Sequence, residues 1–206
     1  MHYLEFKEKL QEFPVFSVSD IRKIEPNFGG RRLNEWQKKG YIKKIRRSFY
    51  MFADMELNED ALFFIANKIY SPSYVSCESA LSFYGLIPEG VYSVTSLSTK
   101  KTEKWKTPIS EFTYRHIKPE LFFGYRLAEF RGQKYKIAEK EKAVLDYLYL
   151  NPHLSTDADF FEWRFNGEDF LVQADMKKFS EYLMIFGNKR MEKCAEALFD
   201  FIKKKK

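Results

Sequence analysis

The residue pattern predicts an α+β fold, on three observations. Apolar residues recur at helical spacing through the first forty residues, and two short β-prone runs follow at 41–52. Alternating β-branched and aromatic stretches then occupy 91–99, 111–117, 122–125 and 133–137, and everything beyond 137 returns to helical period. Two domains follow from this order: 1–55, and 56–206, mixed α/β and helical after about 150.

In the first domain, YLEFKEKLQEF (3–13) spaces Leu4, Phe6, Leu10 and Phe13 as an amphipathic helix that Pro14 closes. The pattern makes Ser19 the N-cap of a short second helix ending before Pro26. A third helix starts at Gly30, carries Leu33 and Trp36 inward with Gln37 at the boundary, and stops at Gly40 in a left-handed cap. Gly29 and Gly30 have two open readings, a tight turn or a close approach of backbone to a ligand. Tyr41, Ile42 and Ile45, the corner Arg46-Arg47-Ser48, and Phe49 to Phe52 make a hairpin. Three helices and a hairpin in that order form the winged helix-turn-helix plan.

Charge gives this domain its expected role. Residues 1–52 hold 12 Lys/Arg against 6 Asp/Glu, while the remaining 154 residues hold 23 of each, so the whole excess of +6 lies in the first quarter. A basic helix beside a basic hairpin can lay cations along a phosphate backbone while the helix enters a groove. Arg31, Asn34 and Lys38 share the stripe opposite Leu33 and Trp36 and are the base-reading candidates. Arg32, Lys43, Lys44, Arg46 and Arg47 are the phosphate candidates. The expected partner is double-stranded DNA.

In the second domain, Asn58-Glu59-Asp60 starts a helix over 61–70 that bridges the two domains, with its acids at the positive end of the dipole. Residues 74–88, YVSCESALSFYGLIP, read as a short extended start, a Ser-capped helix and a glycine stop. The polar KKTEKWKT stretch reads as an exposed connection between strands. Helices are expected at 137–148, 155–165, 175–186 and 189–202, the last with Met191, Cys194, Ala195, Leu198 and Ile202 as its apolar face and a frayed lysine tail beyond.

Composition and motifs narrow the chemistry. With 45% hydrophobic and 18% aromatic residues the chain supports real cores, and Cys77 and Cys194 read as two buried reduced thiols. No apolar run approaches the roughly 18 residues of a membrane span, so a soluble cytoplasmic protein is expected. The one Glu-x-Lys, Glu5-Phe6-Lys7, has no acid before it, which argues against a restriction-type nuclease site. Asp157-Ala158-Asp159 follows no Gly-Ser turn and sits at a helix start. His2, His116 and His153 match no zinc spacing, and no phosphate-cradling glycine motif or nucleophile elbow occurs. No enzyme, cofactor or metal site is expected.

YVSCESALSFYGLIP, FTYRHI, FFGY and YKIAEKEKAVLDYL follow the basic head in an order that resembles AbiEi-type antitoxins, the transcriptional regulators of type IV toxin-antitoxin systems, over roughly residues 1 to 150. The family pattern typically has His where this chain has Tyr84, and often Gly where it has Ser48. The resemblance implies an N-terminal domain that binds operator repeats and represses its operon, a C-terminal domain that supplies antitoxin activity, and a nucleotidyltransferase-like toxin as a functional partner. The alternative is a stand-alone transcription factor whose second domain binds a ligand or dimerises; a DNA-processing enzyme is a third class. Ser76, Glu78, Ser79, Glu141, Lys142 and Asp146 are the polar positions inside the matched motifs. They either meet a partner or form a polar site at the domain centre, or else Ser76 caps a helix, Glu141 and Lys142 are solvated and Asp146 bonds locally. The second use is the expected one.

Overall fold

The computed structural model describes residues 2–88 and 93–204, and the fold is a mixture of helices with two separate sheets. The chain opens with α1 (Tyr3–Leu10), β1 (Phe16–Ser17), α2 (Val18–Ile24), α3 (Arg31–Lys38) and the hairpin β2 (Ile42–Arg46) and β3 (Phe49–Phe52). The three strands form an antiparallel sheet in the order β1-β3-β2. Ser17, not Ser19, caps α2: its hydroxyl accepts the Asp20 N–H at 3.1 Å, and the Asp20 carboxylate accepts the Ser17 N–H at 2.9 Å. The cap moved because β1 ends at Ser17, which leaves that residue extended as an N-cap must be.

Aromatic packing holds this head together. Phe6 contacts Trp36 at 4.5 Å and Phe16 at 5.3 Å between ring centroids, and Leu10, Ile21, Phe28, Leu33, Ile42 and Phe52 complete the cluster. Leu33 and Trp36 are the only buried residues of α3, whereas Gln37, expected at the boundary, is exposed. Gly40 stops the helix at φ +72°, as its position predicted. Val15, Ile45 and Met51 face the other way, into the larger core.

That larger core is built on a six-stranded sheet. After α4 (Glu59–Ile69) come β4 (Tyr74–Val75), α5 (Cys77–Phe83), β5 (Ser93–Ser98), β6 (Glu103–Lys106), β7 (Glu111–His116), a 3-10 turn at Pro119–Leu121, β8 (Tyr125–Phe130) and β9 (Gln133–Ala138). The strand order is β6-β7-β5-β4-β9-β8, with β5/β7 and β4/β9 parallel and the remaining pairs antiparallel. Residues 91 and 92 of the expected strand lie outside the described residues. The KKTEKWKT stretch is not a mere connection: Glu103–Lys106 pairs with β7 because Trp105 has Tyr70 and Tyr114 to pack on. Residues 122–124 are irregular and not strand, with Gly124 at φ +68° just before β8.

Helices α6 (Lys140–Leu150), α7 (Asp157–Trp163), α8 (Gly167–Gln173), α9 (Met176–Phe186) and α10 (Lys189–Lys204) finish the chain. The expected 155–165 helix ends at Trp163, where Arg164 turns left-handed and Asn166 caps α8. All five apolar-face residues expected of α10 are buried; of the lysine tail, Lys204 pairs with Asp157 at 2.8 Å, and residues 205 and 206 lie outside the described residues. Among the described residues, no helix is long and apolar enough to cross a membrane.

Candidate nucleic-acid interface

The head exposes six cations and one amide. Arg31, Arg32, Asn34 and Lys38 on α3, Lys43 and Lys44 on β2, and Arg47 in the hairpin turn are all exposed. This follows from two local facts. Leu33 and Trp36 turn inward at i and i+3, which sends the intervening stripe to solvent. In β2 the buried Ile42 and Ile45 bracket two consecutive exposed lysines, because a bulge between Lys44 and Arg46 breaks strict alternation.

Six of these side chains, Arg31, Asn34, Lys38, Lys43, Lys44 and Arg47, have no ion pair or side-chain hydrogen bond among the described residues. Arg32 differs, since its guanidinium lies 3.5 Å from the Glu25 carboxylate. Arg46 differs more. It is half-buried with its guanidinium 3.1 Å above the centre of the Trp105 ring. Burial, with Arg47 beside it, draws its pKa below the ordinary arginine value. Arg46 is therefore a tie between hairpin and body where a phosphate ligand was expected.

Gly29 and Gly30 open α3 without left-handed backbone, and a Cβ added to either would meet nothing within 4 Å. No turn conformation or neighbouring atom of the chain requires glycine at these two positions.

The polar motif positions converge in the body, and here the plainer expectation is overturned. Lys142 and Asp146 are fully buried one turn apart on α6 and form an ion pair. The Ser76 hydroxyl does not cap α5; it donates to Asp146 Oδ2 at 2.8 Å. The Tyr74 hydroxyl donates to the same oxygen at 3.0 Å and accepts from Lys142 Nζ at 2.9 Å. The rings of Phe123, Phe186 and Tyr74 surround the ammonium at 5.0, 5.2 and 5.3 Å. Glu141 is also buried and accepts the Asp175 N–H at 2.7 Å, which joins α6 to the start of α9. Ser79 lies deep too, bonded to the β5 backbone at Ser93 and Thr95. Burial pushes the Asp146 carboxyl up, against the pull of Lys142, Ser76 and Tyr74.

The glycine of FFGY belongs to the same centre. A Cβ on Gly124 would lie 2.9 Å from Lys142 Cγ, so the turn can close over the lysine stem only without a side chain. Tyr84 donates from its hydroxyl to the Ala138 carbonyl at 2.8 Å and accepts from Arg126 Nε at 3.1 Å. Cys77 sits at φ +51° where strand turns into helix, the backbone arrangement of a nucleophile elbow. Its thiol is fully buried and burial pushes its pKa well up, which holds it neutral and out of reach. Asp157 pairs with Lys204, and Asp159 closes the capping box of α7 with Thr156, so the two carboxylates do not face a common site.

No family model and no curated protein matches the chain.

Proposed function

We propose that the protein is a DNA-binding transcriptional repressor of the AbiEi antitoxin type, a winged helix on a mixed α/β body, divided near residue 55. The observation that carries this reading is the set of six exposed polar side chains on α3, β2 and the hairpin turn that have no side-chain partner among the described residues. Hydrated surface cations release condensed counterions when they meet a duplex, and that release supplies affinity without sequence preference. Preference comes from α3, where arginine reads a guanine edge and asparagine an adenine edge. The order of helices followed by a hairpin supports the winged-helix plan, with α3 as the groove-entering element and β2-β3 as the wing. In this reading the body carries the antitoxin activity, and the meeting of Tyr74, Ser76, Gly124, Lys142 and Asp146 in one centre brings the resembling segments together in space.

A gel-shift titration with the duplex upstream of the coding region tests this. Arg31→Ala is expected to relax sequence preference at one position by about 1–3 kcal/mol, whereas Lys43→Ala with Lys44→Ala weakens binding to all sequences alike. Equal affinity of wild type and both variants for that duplex overturns the reading. A second reading, a ligand-responsive transcription factor, is favoured by a cleft of about 770 Å³ between head and body, lined by Lys7, Gln11, Arg131 and Gln133. Co-expression with a neighbouring toxin separates the two, since only the antitoxin reading predicts rescue of growth.

A further inference from the structure

The two edges of the six-stranded sheet are finished differently. At one end β6 is four residues long and exposes Lys104 and Lys106, which discourages pairing with another strand. At the other end β8 runs six residues and carries near its middle Leu127, which is 57% exposed and lies outside the hydrophobic core. The main chain of this strand is also unpaired on its outer side. The Lys136 N–H and C=O both bond the Asn67 side chain, on the side of β9 turned away from β8. Leu127 is the β8 residue opposite Lys136, so strand alternation turns its own N–H and C=O, with those of Tyr125 and Glu129, to the open edge. Among the described residues no hydrogen bond meets these groups.

We propose that β8 is a dimer edge, on which the β8 of a second copy of this chain pairs antiparallel about a two-fold axis through Leu127. Only one register within the strand engages all three open residues: Leu127 opposite Leu127, and Tyr125 opposite Glu129 on each side of the axis. No like charges then stand opposite one another. Arg126 faces an alanine, and it already donates to the Tyr84 hydroxyl at 3.1 Å and lies over the Phe83 ring. Glu129, which has no ion pair among the described residues, arrives beside Tyr125 of the second copy, whose hydroxyl accepts from Lys136 Nζ at 3.3 Å. A carboxylate there meets a hydroxyl proton and an ammonium. Any extended strand supplies main-chain bonds, but a second β8 adds the apolar contact and the complementary charge. The inference does not depend on the DNA-binding reading.

The test is sedimentation equilibrium of the full chain from about 1 to 200 μM, the range that suits a short edge contact smaller than the roughly 1,200 Å² of a standard interface. Wild type is expected to pass from monomer to dimer and to stop there. Leu127→Lys sets two ammoniums on the axis and should abolish the dimer, while its urea melt stays that of wild type because Leu127 packs on no core residue. Glu129→Lys should raise the dissociation constant about tenfold, through loss of the carboxylate that faces Tyr125 and Lys136. Val172→Lys, at the exposed apolar residue of α8, should leave it unchanged. A wild type that stays monomeric throughout overturns the inference. So does a dimer that survives Leu127→Lys, a dimer lost equally in Val172→Lys, or a species that keeps growing with concentration, since an open chain of contacts is not a two-fold pair.

Discussion

The head and the body handle charge in opposite ways. In the head, Arg31, Lys38, Lys43, Lys44 and Arg47 stand in solvent with no side-chain partner among the described residues, whereas in the body Lys142 and Asp146 are fully buried and every polar atom of the pair is engaged. Exposed cations cost the fold little and remain available to an external anion. A buried pair must be satisfied where it stands, so it serves the geometry of the core and not a ligand. The difference separates a surface open to an external anion from a centre closed on itself inside the body.

Breaking the buried centre gives the largest expected effect. Lys142→Met leaves Asp146 uncompensated in the core and should lower stability by about 3–5 kcal/mol, read from urea melts. Lys142→Met combined with Asp146→Leu should recover part of that loss, because two apolar residues need no partner, while the buried Tyr74 and Ser76 hydroxyls lose theirs. A double variant no more stable than the single one would contradict this account. Gly124→Ala comes next, at about 2–3 kcal/mol, from the contact with the Lys142 stem and from its left-handed backbone. Ser17→Ala, which removes one half of the capping box in the head, should cost about 1 kcal/mol.

Two aspartates sharpen the same contrast through pH. Burial would raise the Asp20 carboxyl in the head, but Ser17 bonds to it through hydroxyl and backbone N–H and holds it below the ordinary value. Its contribution is present above the unfolded pKa and is lost as pH falls through the folded one. Asp146 is shifted the other way, so the folded chain keeps that proton longer than the unfolded chain, and its contribution declines as pH rises. Stability measured against pH should therefore lose its acid-side fall in Asp20→Asn and its decline with rising pH in Asp146→Asn. The same sign of change in both variants would refute the assignment.

Gly29→Ala and Gly30→Ala give the smallest effect on stability and a telling one on binding. Neither backbone requires glycine, so melting should be unchanged or shifted up by about 0.4–1 kcal/mol, while duplex affinity falls if DNA backbone approaches α3 there.

Sequence period was enough to locate α3, the hairpin and the helices at 59–69 and 140–150, and two of the helices also carry an end signal, the left-handed Gly40 after α3 and the Asn58 cap of α4. Strand β6 was not legible, since EKWK offers a single apolar residue and its reason for pairing lies in Tyr70 and Tyr114, remote in the chain. Helix α8 was missed because a seven-residue helix gives barely two turns of pattern. The ion pair at the centre was misread for a general reason. Lysine and aspartate four apart on a helix usually face water, and only Tyr74 and Ser76, some seventy residues earlier, reveal that they do not. The stripe of α3 was legible in full, whereas Arg46 was assigned to phosphate because its partner, Trp105, belongs to the body.

The salt dependence of duplex binding tests the central claim most directly. Titrating the full chain against a 30-bp duplex from 50 to 200 mM salt should give a steep linear fall of log K, and replacing Lys43, Lys44 and Arg47 with alanine should reduce its slope by about 2.7. A slope unaltered by the triple replacement would contradict the claim that these exposed cations grip DNA.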